Sequence, residues 1–215
     1  MRNDYKSKIK RIIYLTERLP YFQLDDLVGI ESNKNYLKIL LSRYKKKGKI
    51  ISLKKGVYTT KEYIDNIQKS DKFSFYSEFI SGILYKQSYL SLDYVLYKHN
   101  ILTEIPVNFT LITKNKTAYF SNSFGNFFYH KIKNNLFCGF EILQKGDFII
   151  YEATKAKALF DFLYLRKNLI FDKKTAKELR LNLKMFNLLN KKELIKYIKI
   201  EGSKKMKDIF KYLFS

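Results

Sequence analysis

Between residues 34 and 59 the hydrophobic pattern changes its period, and few folds accommodate such a change in so short a span. Leu37, Leu40, Leu41 and Tyr44 recur at helical spacing, which puts them on the inward stripe of a helix expected over about 34–47. Ser32 or Asn33 is the expected cap at its start, and Gly48 ends it. Ile50, Ile51 and Leu53 then run into Lys54-Lys55-Gly56, and Val57, Tyr58 and Thr59 run back. That is the pattern of a tight hairpin, whose glycine accepts the positive φ of the turn without steric cost. The same stretch is chemically one-sided: residues 34–55 hold nine basic residues and no acidic one.

Two more helices are expected upstream. Over about 6–19, Ile9, Ile12, Ile13, Leu15 and Leu19 keep a roughly helical spacing while Lys8, Lys10, Arg11 and Arg18 stay polar. Pro20 closes that helix, because the residue before a proline is pushed away from the α region. A short helix over about 23–28 carries Leu24, Leu27 and Val28, with Asp25 and Asp26 near its positive end. Three short helices followed by a hairpin with lysines at its tip is the winged helix-turn-helix order, expected over 1–68. In such a module the third helix enters the major groove, so Asn35 and Lys38 are placed for base edges. Ser42, Arg43, Lys45, Lys46 and Lys47, with Lys54 and Lys55 of the wing, are placed for phosphates. The whole-chain charge of +22 agrees with a polyanionic partner. Its distribution is more informative than its total. Residues 1–70 carry 17 basic and 7 acidic residues, nearly twice the net charge density of the rest.

The remainder, 69–215, reads as a mixed α+β domain with its strands in the middle and a helical tail. The stretch 61–72 is polar and reads as a short helix or a linker. A helix over about 74–85 leads into Tyr89-Leu90-Ser91, where Ser91 is the expected cap of a helix carrying Tyr94, Val95 and Tyr97. Strands are expected over 107–113, 117–121, 125–132, 137–144 and 148–151. Helices are expected over 153–166, 173–186, 190–200 and 203–213.

Catalytic and metal-binding patterns are poorly served. His99, His130 and Cys138 stand far apart in sequence and do not resemble the paired ligands of a structural zinc site. The run from Asp147 to Lys155 lacks the spacing of a metal-dependent nuclease, which sets its Glu and Lys two apart on one strand face. Gly202-Ser203 is followed by no spaced pair of aspartates. A Walker-type or dinucleotide glycine loop is absent. No catalytic activity, metal or cofactor is therefore expected. The single cysteine forbids an internal disulfide, and no apolar run has signal-peptide or membrane-spanning character, so a cytoplasmic protein without membrane association is expected.

Several segments resemble the AbiEi-type antitoxins, regulators of bacterial abortive-infection (phage-defence) toxin–antitoxin systems. In the first domain the likeness lies in the helix-turn-helix frame and in Gly48-Lys49-Ile50 with Leu53-Lys54-Lys55-Gly56-Val57-Tyr58. In the second it lies in Tyr89 to Leu96 through His99 and Pro106, in Phe109 to Lys114, and in Phe124-Gly125 with Phe128-Tyr129-His130. It continues in Ala153-Thr154 and Lys157 to Leu165. The chain departs from the family at Lys155-Ala156, where the family has Pro-Glu. The resemblance implies an autorepressor that binds inverted repeats of double-stranded DNA in its own promoter. It also implies an antitoxin against a nucleotidyltransferase-like toxin encoded alongside, countered without a stable complex. Lys157 and Asp161 fall in the family-like helix, and their spacing of four suggests a helix-surface ion pair. A rival reading is an RNA-binding module whose aromatic strands stack unpaired bases.

Overall fold

The computed structural model describes residues 2–214. Among them the chain is mixed α+β, with nine α-helices and two sheets. It folds into two compact units. The first runs to Ile80 and includes Asn122–Phe124; the second comprises Ser81–Ser121 and the residues from Gly125 onward.

In the first unit, α1 (Arg2–Thr16) ends three residues before the expected stop. The Thr16 hydroxyl donates to the Ile12 carbonyl at 2.7 Å, and the Leu19 amide to Thr16 at 3.0 Å, turning the chain toward Pro20. Leu15 and Leu19 face solvent instead of the core. The second expected helix is a single 3-10 turn, Leu24–Leu27, and Asp26 accepts from the Gln23 amide at its start. Just before it, β1 (Phe22–Gln23) joins a small sheet. The full third helix is α2 (Lys34–Lys46), followed by β2 (Ile50–Lys54) and β3 (Val57–Thr60). The sheet order is β1-β3-β2, with both pairings antiparallel. Ile9, Ile12, Phe22, Leu27, Leu37, Leu40, Leu41 and Ile50 close one core.

The stretch expected as helix or linker is a packed helix, α3 (Lys61–Lys69), which buries Ile64 and Ile67. The first unit therefore runs past 68. It takes in Tyr76 of α4 (Phe73–Leu84), whose hydroxyl donates to the Pro20 carbonyl at 2.7 Å and whose ring meets Tyr63 and Phe124 edge-on or tilted.

The second unit is built on a sheet of order β6-β7-β5-β4-β9-β8. Its strands are β4 (Ser88–Leu90), β5 (Phe109–Thr113), β6 (Ala118–Asn122), β7 (Gly125–Lys131), β8 (Phe140–Lys145) and β9 (Phe148–Ala153). The short β4 occupies what reads in sequence only as the lead into a helix. It lies centrally, antiparallel to β5 and parallel to β9, while β5 and β7 run parallel. Between β4 and β5 comes α5 (Leu92–Lys98), and after β9 comes α6 (Lys155–Arg166). Thr154 caps α6 by accepting from the Lys157 amide at 3.1 Å, so the chain starts that helix without Pro-Glu. Eight consecutive residues of α6, Ala156–Leu163, are buried. The tail is α7 (Lys173–Glu178), α8 (Leu188–Glu201) and α9 (Lys204–Phe214). The helix expected over 173–186 stops at Glu178; Arg180 takes φ 50° and breaks it. No helix of the described residues is long and apolar enough to cross a membrane.

Candidate nucleic-acid interface

The geometry of α2 follows from its two ends. Asn33, not Ser32, caps it: the Asn33 side chain accepts from the amides of Asn35 and Tyr36, both at 3.1 Å. At the other end Gly48 stands at φ 69°, with its amide on Lys45 and the Lys49 amide on Tyr44. This Schellman arrangement turns the chain directly into β2. Leu37, Leu40 and Leu41 are buried, which fixes the rotation of the helix.

Successive residues of an α-helix turn by about 100°, so Asn35, Ile39, Ser42 and Lys46 fall in one stripe about 60° wide, opposite Leu37. All four are exposed. Lys38 and Lys45 flank the stripe on one side and Arg43 on the other, and these too are exposed. Lys47, at the helix end, places its ammonium 5.1 Å from the centre of the Tyr44 ring. Because Asn33 supplies the cap, the Asn35 side chain is not used for it.

Two acids that precede α2 in the chain, Glu31 and Asp25, are engaged in ion pairs. Glu31 accepts from Lys8 at 2.8 Å and from the Asn33 amide at 3.0 Å, and the Lys8 ammonium beside it holds its carboxyl below the usual range. Asp25 pairs with Lys34. The outward face of α2 is thus cationic and polar with one exception. Ile39 lies in the middle of the stripe and is 54% exposed. The inward stripe read from sequence, Leu37, Leu40, Leu41 and Tyr44, leaves Ile39 out, and the 100° step per residue separates it from Leu40 and Leu41.

The hairpin places Lys54 at the end of β2 and Lys55 in the turn, with Gly56 at φ 81°. Lys55 is exposed and Lys54 half-buried. A bulge between Ser52 and Lys54 shifts the register just before the turn. Asn122 holds the base of the hairpin, donating to the Leu53 carbonyl at 3.0 Å.

Lys157 and Asp161 are not on a helix surface. Both side chains are wholly buried in the second unit, their charged atoms 2.6 Å apart. The reason is the burial of α6 on all sides, which leaves no solvated face for an ion pair. Asp161 also accepts from Ser91 at 2.8 Å and from Tyr89 at 3.1 Å, and Lys157 donates to the Leu136 carbonyl at 2.8 Å. Burial pushes the Asp161 carboxyl up, against the pull of Lys157, Ser91 and Tyr89. Ser91 stands at the cap position of α5, but its hydroxyl serves Asp161 and makes no cap bond. Neither charged residue is available to a partner at the surface.

Among the described residues no group of three or more His, Cys, Asp or Glu side chains is placed to hold a metal ion. No protein-family model matches the chain, and no curated protein matches it either.

Proposed function

We propose that the chain is a DNA-binding transcriptional regulator whose first unit acts as a winged helix-turn-helix. In this reading α2 lies in the major groove, with Asn35 and Lys38 toward base edges. Ser42, Arg43, Lys45, Lys46 and Lys47 take phosphates, and Lys54 and Lys55 extend the grip from the wing. The observation that carries it is the outward face of α2: cationic, polar, free of acids, and held at a fixed rotation by a closed leucine stripe. The resemblance of the segments around Tyr89–Leu96 and Lys157–Leu165 to AbiEi-type antitoxins supports a second role for the rest of the chain. That role is countering a nucleotidyltransferase-like toxin encoded alongside, with the operator in the chain's own promoter as an inverted repeat.

The RNA-binding alternative has less support. Phe127 and Tyr129 of β7 are buried, and Phe128 is half-covered with Tyr119 against it at 4.7 Å. An open stacking platform needs free ring faces. The test is affinity for the duplex upstream of the chain's own coding sequence against single-stranded RNA of the same sequence. The duplex is expected to bind at least about tenfold more tightly. Equal or tighter binding of the RNA contradicts the reading.

A further inference from the structure

We propose that Ile39 reads the C5 methyl group of a thymine in the major groove. The inference rests on the DNA-binding reading and goes beyond it by naming the base. Ile39 is 54% exposed, while the inward stripe of Leu37, Leu40 and Leu41 closes without it. Its side chain therefore adds little to the packing of the first unit. Asn35 stands one turn before it and Ser42 one turn after, and Lys38 and Arg43 lie on its two sides.

The surroundings decide what can cover such a group. An apolar protein surface would have to desolvate the cationic side chains beside it, which is costly. A duplex satisfies both needs at once. Its phosphates take the cations, and thymine alone among the four bases offers a methyl group in the major groove. A cytosine in the same place presents an amino donor, which an alkyl side chain cannot accept, so the contact discriminates against cytosine as well. Asn35 and Ile39 are separated by about 6 Å along the helix axis, or between one and two base steps of about 3.4 Å. An adenine edge at Asn35 and a thymine methyl at Ile39 can then be read from neighbouring positions of one half-site.

The full-length chain is used to recover preferred sites from a random-sequence duplex pool. Each thymine of the recovered site is then replaced singly by deoxyuridine, which removes only the methyl group. One replacement is expected to weaken binding about three- to fivefold, the effect of one buried methyl. The Ile39→Ala chain is expected to bind the thymine and deoxyuridine duplexes equally, with an unchanged melting temperature because the side chain is exposed. Equal binding of all these duplexes by the unaltered chain overturns the methyl contact and leaves DNA binding standing. So does a thymine preference that survives Ile39→Ala, or duplex binding with no preferred sequence. Absence of any duplex binding overturns both readings together.

Discussion

Asp161 gathers donors from three side chains, Lys157, Ser91 and Tyr89, and its partner Lys157 is wholly enclosed by the fold. Such a pair is weak evidence of net stability, because desolvation offsets much of the attraction. Breaking it is another matter. Asp161→Ala leaves a buried ammonium whose remaining hydrogen-bond acceptor among the described residues is the Leu136 carbonyl, and is expected to cost about 3–5 kcal/mol. The double change Lys157→Met with Asp161→Leu removes both charges and is expected to cost less than Asp161→Ala alone. Denaturant unfolding of both variants checks it, and a double variant that is the weaker of the two contradicts it. The spacing of four is plain in sequence. The burial is not, because Ser91 and Tyr89 lie about 70 residues away and only the fold brings them together. The two histidines add a pH dependence. Burial, with Lys155 and Lys98 near His99 and Arg166 near His130, lowers both from their usual range. The opposing pulls of Glu152 and Asp93 are smaller than burial. A group whose pKa is lower folded than unfolded contributes stability that is present above its unfolded value and lost as pH falls through the folded one. Melting temperature is therefore expected to fall from about pH 7 to pH 5. The double variant His99→Gln and His130→Gln is expected to flatten that fall; an unchanged pH profile contradicts the assignment.

At the scale of elements, strong local patterns carry over into the structure and weak ones do not. The helix α2, its glycine stop and the hairpin follow from residues close in sequence. The short helix expected near 23–28 is reduced to a 3-10 turn, since four residues with two adjacent aspartates offer little helical hydrogen bonding of their own. The stretch 61–72 is polar by composition, yet Ile64 and Ile67 three apart are enough to dock α3. The strand β4 leaves no signature because its three residues are all buried and so show no alternation. The place of α4 gives a prediction. A fragment ending at residue 70 keeps the three expected helices and the hairpin but loses Tyr76, with its bond to Pro20 and its contact with Tyr63. It is expected to be less stable than a fragment ending at residue 84 by about 3 kcal/mol or more, the order of losing a large buried aromatic. Equal melting of the two fragments contradicts the extension of the first unit to Ile80.

For the molecule as a whole, composition and periodicity suffice for the α+β class and for strands flanked by helices. They do not suffice for the division into units, because Asn122–Phe124 joins the first unit from a turn far along the chain. The charge of +22 guarantees some attraction to any polyanion, so affinity for DNA alone does not locate the interface. Salt dependence does, because each neutralised phosphate adds to the slope. The measurement is the affinity of the full-length chain for a duplex across a salt series, with Lys54→Ala/Lys55→Ala alongside. Contact with about five phosphates predicts a slope of log K against log[salt] near −4 to −5, flattened by up to about two units in the wing variant. A slope that the wing variant leaves unchanged, or no duplex affinity at about 50 mM salt, contradicts the account.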